Sequence, residues 1–194
     1  MTAQVIDGEA IASAMLRETM SQVADLKAKG VQPKLCAIIA TDNKGAAIYA
    51  KNQAKSCQEA GIAYELAELP TTSTEAQIIE AIQKKNEDPS VSGIIIQMPL
   101  PEGVNARKLQ RMIAPAKDVE GMNPSNQGMV VYCAQPFFKK PLATSPEAAN
   151  WLSASLSWPL PSPAPCTPTG AMMLIRSLGI DLYGMEAVVV GHSE

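Results

Sequence analysis

Few residues in this 194-residue chain could carry chemistry, and their scarcity is informative. There is one histidine, His192, so a multi-histidine metal site is excluded and a Ser-His-Asp triad would rest on that side chain alone. The four cysteines, Cys36, Cys57, Cys133 and Cys166, are scattered without a Cys-x-x-Cys, which argues against a zinc ribbon or a disulfide scaffold; no metal site is expected. Cys166 lies between Pro165 and Pro168, and with only His192 available to activate it, a wall residue is the stronger reading than a nucleophile. Tyr49 and Gln53 stand one helical turn apart and share a face. Lys51 and Lys55 fall about 200° and 240° around the helix from Tyr49, so neither joins that face. Gln97 ends an apolar run, where a parallel sheet binds ligands, although a plain polar strand end reads the same way. Asp118 and Glu120 precede Gly121 and either grip a ligand or form a solvated acidic turn. Gly191-His192-Ser193 follows a run of valines, as at the opening of a nucleotide-binding βαβ unit, where a glycine turn faces phosphate; any strand ending in a glycine turn looks alike.

The elements that would position these residues can be read from apolar periodicity. Leu16, Met20, Val23 and Leu26 fall on one helical face, and Gly30 follows as a stop. Residues 35–40 form a continuous apolar run, as expected for a strand buried on both sides. Residues 44–60 favour a helix that ends at Gly61, and 62–69 read as a second strand. Thr72-x-x-Glu75 resembles a capping box ahead of Ile79 and Ile82. Residues 92–97 make a third strand, stopped by Pro99 and Pro101. Alternating strands and helices at this spacing predict an α/β fold with a mostly parallel sheet and flanking helices. Five prolines between Trp158 and Gly170 predict an extended connector, preceded by a short helix over 146–155. A helix over 171–178 and a strand over 187–190 follow, and an edge strand is a poor way to finish a domain, so the chain is expected to be a fragment. The ten methionines are expected to fill the core.

Composition narrows the function classes. A net charge of −3 argues against an electrostatic nucleic-acid binder, and 4% aromatics leave few stacking platforms for single strands. No apolar run reaches the length of a membrane span, and the N-terminus lacks the pattern of a signal peptide, so a cytoplasmic protein with no membrane partner is expected.

Five segments in order resemble the methylenetetrahydrofolate dehydrogenase/cyclohydrolase family. They are Val5-Ile6-Asp7-Gly8; Tyr49-Ala-Lys-Asn-Gln53 running to Gly61-Ile62; Gly93-Ile-Ile-Ile-Gln97-Met-Pro99-Leu100-Pro101; Lys117-Asp118-Val119-Glu120-Gly121 running to Gly128; and Pro165-Cys166-Thr167-Pro168-x-Gly170 with Val188-Val-Val-Gly191-x-Ser193. The resemblance implies a tetrahydrofolate-binding catalytic domain over 1–145, a Pro-rich connector over 146–170, and the first strand of a truncated Rossmann domain over 171–194. It implies NADP (or NAD) as cofactor of the intact protein, a tetrahydrofolate derivative as substrate, and a homodimer. The implied chemistry is oxidation of methylenetetrahydrofolate to methenyltetrahydrofolate, followed by cyclohydrolase opening of the methenyl ring.

By the same resemblance Tyr49, Gln53 and Gln97 are catalytic; Tyr49, Gln97, Pro99, Leu100, Asp118 and Glu120 bind substrate; and Gly191, His192 and Ser193 bind cofactor. Several positions depart from the family pattern. The family has lysine where this chain has Gln53, and an amide does not titrate in the useful range, so cyclohydrolase activity is expected to be impaired while hydride transfer can survive. Glu120 stands for an aspartate whose carboxylate meets paired N–H donors of the pterin, and the extra methylene shifts the head group by about 1.5 Å. The family turn Gly-Asp-x-Pro-Ala-Ser is Thr41-Asp42-Asn43-Lys44-Gly45-Ala46 here, without the serine hydroxyl. The leading expectation is a dehydrogenase whose 194-residue portion is inactive alone. The alternatives are a non-catalytic folate-binding remnant or pseudoenzyme, and a two-domain amino-acid-type dehydrogenase of similar architecture, which would leave the Gln97–Pro101 and Pro165–Gly170 motifs unexplained.

Overall fold

The computed structural model describes residues 5–138, 163–180, 185–186 and 188–191. Its centre is a three-stranded parallel sheet in the order β2-β1-β3, from β1 (Lys34–Ile39), β2 (Ala63–Glu68) and β3 (Gly93–Ile96). The middle strand is the apolar run 35–40, and Cys36, Ala37, Ile38 and Ile39 on it are all buried. Such a strand has helices over both faces and so shows no polar alternation. β2 lies at the edge and is only half-buried.

The connections are helical, as parallel pairing requires. α1 (Gly8–Ala28) is capped by Asp7, whose Oδ1 accepts from Ala10 N at 2.9 Å. α2 (Lys44–Ala60) starts at Asn43, whose Oδ1 accepts from Ala46 N at 3.1 Å, and stops at Gly61 in the left-handed region. α3 (Glu75–Glu87) lays Ile78 and Ile82 into the core against Ile38, Ile94 and Leu109. The short α4 (Ala106–Met112) follows, then α5 (Pro124–Phe138) and α6 (Cys166–Arg176).

Several expectations are corrected. The capping box is formed by Thr74 and Gln77, not Thr72 and Glu75. A turn in which Ser73 N donates to Pro70 O consumes Thr71 and Thr72, and Glu75 is drawn instead to Lys108 and to Asn105 N. The face of α1 is mostly uncovered: Val23 is buried, while Met20 and Leu26 are exposed. Methionines do not fill the core, which is made of isoleucine, valine, leucine, alanine and cysteine; Met15, Met20, Met98, Met172 and Met185 are exposed. α6 begins at Cys166, so Thr167, Pro168 and Gly170 belong to a helix and not to the extended connector. Pro168 is tolerated because it stands in the first turn, where its missing N–H would have no intrahelical partner. Val188, Val189 and Val190 are exposed and in no strand, so the expected first Rossmann strand is not formed over these residues. Nothing among the described residues offers them a neighbouring ladder, without which a strand's amides stay with water. The short helix over 146–155 and most of the connector lie outside the described residues, as do Ala187, His192 and Ser193.

The loop from 113 to 123 is tied to the body by polar groups. Asn86 donates to Met112 O and accepts from Ala114 N, at 2.7 and 2.9 Å. Lys117 Nζ donates to the carbonyls of Lys85, Asn86 and Asp88 at 2.7–3.0 Å, placing a cation on the exposed carbonyls at the end of α3. Among the described residues no helix is long and apolar enough to cross a membrane.

Candidate active site

The loop tied down in this way runs beside the sheet. Asp118 makes a parallel bridge to Ile94, so the chain continues along the open side of β3 and carries Glu120 level with its last residues. On the other side α2 begins just after β1. Between them, at the C-terminal edge of the sheet, lies a cleft of about 370 Å³. It is lined by Asn43, Gly45, Ala46 and Tyr49 from the start of α2, by Ile95, Ile96, Gln97 and Met98 from the end of β3, and by Glu120. Ligands bind open parallel sheets at this edge because loops and helix starts converge there.

Tyr49 is 56% exposed and offers its ring to the cleft. Gln97 is 3% exposed; its backbone N donates to Ile38 O at 2.8 Å, extending the β1–β3 ladder by one residue. Its side-chain Nε2 donates to Gln53 Oε1 at 3.1 Å. Tyr64, on β2, donates its hydroxyl to the same Gln53 oxygen at 3.2 Å. Gln53 thus stands behind the cleft wall, joined to it through Gln97. Burial, then the neighbouring Cys57, Cys36 and Tyr49, push the Tyr64 phenol above its ordinary range, so it keeps its proton.

Glu120 is half-buried and accepts no hydrogen bond from another described residue. Burial, and secondly the nearby Asp118, raise its carboxyl above the ordinary range. Asp118 itself is not on the cleft. It is 1% exposed, and its Oδ2 accepts from Asn123 N at 2.7 Å and Asn126 Nδ2 at 2.8 Å, which makes it the anchor of the loop that presents Glu120. Asn126 also donates to Pro115 O and Asn123 to Ile113 O, both at 2.9 Å, completing the anchor.

Of the other expected site residues, Pro99 follows a cis peptide from Met98 and Leu100 packs on the core; neither lines the cleft. Cys166 is exposed, and its Sγ lies 3.5 Å from Val119 O. Burial and then Glu120 and Asp118 raise its thiol, the opposite of what a nucleophile needs. Gly121, at φ 65°, lets this segment come close: a Cβ there would sit 2.4 Å from the Ala164 carbonyl carbon. Gly191 is exposed at φ 109°. Among the described residues no three acidic, cysteine or histidine side chains converge on a metal-sized site. Sequence reasoning missed Asn43 and Met98 as lining residues and Tyr64 as a partner of Gln53. Asn43 was recoverable as an asparagine just ahead of a helix; Tyr64 was not, because its contact spans a helix and a strand.

Residues 6–120 match the family described as "Tetrahydrofolate dehydrogenase/cyclohydrolase, catalytic domain", a span that includes every lining residue of the cleft. The chain is 36% identical over 193 residues to the bifunctional protein FolD of Bordetella bronchiseptica, covering all of this chain and 59% of that protein. It is 33% identical to FolD of Moorella thermoacetica, again over 193 residues and 60% of that protein. The bifunctional FolD enzyme of Campylobacter jejuni superposes with a TM-score of 0.79 at 30% identity, covering 98% of this chain and 58% of that one. The Trypanosoma brucei dehydrogenase-cyclohydrolase, solved with NADP and an inhibitor, gives 0.75 at 27% identity, with 95% and 55% covered. The chain therefore spans about three-fifths of the length of these curated relatives. With the family match over its first 120 residues and these relatives along its whole length, the chain belongs to the tetrahydrofolate dehydrogenase/cyclohydrolase family.

Proposed function

We propose that this chain binds a reduced folate in the cleft between α2 and the end of β3, and acts in one-carbon folate metabolism as the folate-holding part of a methylenetetrahydrofolate dehydrogenase. The observation that carries this reading is Glu120, a half-buried carboxylate that accepts no hydrogen bond from any described residue, sharing one cleft with the exposed ring of Tyr49. A carboxylate in that state accepts paired N–H donors from a heterocycle edge, and a tyrosine ring gives a flat ligand a face to lie on. All lining residues fall within 1–145, which supports that segment as the folate-binding domain. Hydride acceptance belongs to a nicotinamide dinucleotide: NADP is named for the Trypanosoma relative, and a Saccharomyces cerevisiae relative is NAD-dependent. The role assigned to the described residues is binding and orienting the folate.

The cyclohydrolase step needs a group that gives and takes a proton near the reacting carbon. At the α2 position where the family has lysine stands Gln53, behind the cleft wall, a neutral amide whose oxygen already accepts two hydrogen bonds. This favours a chain that binds folate with weak or absent cyclohydrolase activity. Calorimetric titration of the 194-residue chain with tetrahydrofolate tests the reading. Saturable one-site binding is expected, weakened about tenfold or more in Glu120→Gln, since a hydrogen bond to a charged group contributes roughly 1.5–3 kcal/mol. Absence of saturable binding would overturn it. In the same protein, hydrolysis of methenyltetrahydrofolate is expected to run no faster than in buffer.

A further inference from the structure

The three-residue chain Tyr64–Gln53–Gln97 has a direction. An amide oxygen has two lone pairs, and both on Gln53 Oε1 are taken, one by the Tyr64 hydroxyl at 3.2 Å and one by Gln97 Nε2 at 3.1 Å. Gln97 Oε1 and Gln53 Nε2 have no protein partner among the described residues. An amide is nearly symmetric in shape, so the opposite arrangement deserves the same test. In it Gln53 Nε2 would donate to Tyr64 and to Gln97 Oε1, and Gln97 would offer its NH2 to the cleft. The hydroxyl decides between the two. In the observed arrangement its hydrogen has an acceptor. In the reversed one it loses that acceptor, and the half-buried Tyr64 hydroxyl makes no other hydrogen bond among the described residues. Leaving such a donor unmade is costly.

We propose that Tyr64 is a positioning residue: its hydroxyl fixes the orientation of the Gln53 amide and, through it, that of Gln97, so that the cleft wall offers an acceptor, Gln97 Oε1, and takes an N–H donor of the ligand there. Tyr64 does not line the cleft and acts only through these two amides. The consequence is a ligand preference set from the edge strand of the sheet. A ligand carrying a carbonyl or carboxylate at that point would face a like acceptor and be refused. That the ligand is a reduced folate rests on the function proposed above; the direction of the amide chain does not.

The test separates the two. In ligand-free, 15N-labelled protein the Gln97 side-chain NH2 is expected as one slowly exchanging, hydrogen-bonded pair of resonances. In Tyr64→Phe it is expected to broaden or double as Gln97 samples both orientations, with tetrahydrofolate binding weakened roughly three- to tenfold, the scale of one neutral hydrogen bond. The double variant Tyr64→Phe with Gln53→Glu is the rescue. An ionised glutamate can only accept, so it forces Gln97 Nε2 to donate without help from the hydroxyl, and it is expected to restore the single pair of resonances. A merely structural role for Tyr64 would show none of this restoration. Unchanged Gln97 resonances in Tyr64→Phe, or no restoration in the double variant, would overturn the proposal. Resonances that behave as expected but do not respond to tetrahydrofolate would uphold the amide direction and overturn the folate reading instead.

Discussion

Asp118 and Glu120 are two residues apart, and the structure assigns them opposite duties, which a pair of substitutions can separate. Asp118→Ala removes the single oxygen that receives Asn123 N and Asn126 Nδ2. Both donors are buried, on residues 5% and 3% exposed, and the Asn126 side chain keeps its bond to Pro115 O. An orphaned buried donor costs about 1–3 kcal/mol, so two cost about 2–6 kcal/mol. That is a large share of the roughly 5–15 kcal/mol that stabilises a typical domain, and it corresponds to a fall in Tm on the order of 10 °C. Asp118→Asn can place its amide oxygen where both donors meet but without the charge, and since neutral hydrogen bonds contribute about half as much as charged ones it is expected to lose about half as much. Glu120→Gln breaks no hydrogen bond among the described residues and removes a charge that burial disfavours, so its Tm should not fall below the wild type while tetrahydrofolate affinity falls. Urea unfolding monitored by circular dichroism, paired with calorimetric titration at a temperature where every variant is folded, reads both quantities. The reasoning is refuted if Asp118→Asn leaves the unfolding midpoint unchanged and abolishes binding, for Asp118 would then be a ligand group and not the anchor of the loop.

Other outcomes follow from the same geometry. Burial raises the folded pKa of Glu120 above its unfolded value. As pH rises through the interval between those two values the folded chain holds more protons than the unfolded one, so stability declines there and is level on either side. Subtracting a Glu120→Gln unfolding profile from that of the wild type should expose this decline; a difference that rises with pH would contradict it. Gly121→Ala places a Cβ 2.4 Å from the Ala164 carbonyl carbon at a φ of 65°. A loss of about 3 kcal/mol and new proteolytic cleavage near residues 163–166 are expected, while retained wild-type stability would mean that the segment is not docked there. Thr74→Ala removes the real capping box and should lower stability by about 1 kcal/mol, against a few tenths at most for Thr72→Ala. Cys166 should alkylate with iodoacetamide more slowly at neutral pH than an unhindered thiol, and faster in Glu120→Gln, because the adjacent carboxylate disfavours the thiolate. Equal rates in wild type and variant would remove Glu120 from its neighbourhood.

What could be read in advance depended on whether the cause was local. The run 35–40, the helix 44–60 and its stop at Gly61 are set by apolar continuity and one left-handed glycine, and they stand where periodicity placed them. Gln97 was legible at the C-terminal edge for the same reason: a buried strand must end, and a polar residue marked the end. The capping box slipped by two residues because three threonines and a serine precede α3, and only the turn at Pro70 decides which of them caps. Pro168 argued for extended backbone, yet at the third position of a helix it forfeits no bond. Asp118 and Glu120 looked equivalent in sequence. Their separation arises from pairing with Ile94, 24 positions earlier in the chain, a tertiary cause that no local pattern encodes. The Tyr64–Gln53 bond was invisible for the same reason.

The close approach at Gly121 has a consequence for how this site can diversify. The slot that a side chain at position 121 would occupy is already filled by the main chain of residues 164–165. Substitution there is closed to every amino acid with a β-carbon, so the wall that carries Glu120 can change its chemistry at position 120 alone. The same crowding joins residues 164–165 to the carboxylate one position away. An insertion or deletion in the long stretch between α5 and α6 would therefore register at the ligand through backbone geometry, leaving the composition of the cleft untouched. Sequence drift far along the chain can in this way retune recognition while every lining residue stays the same.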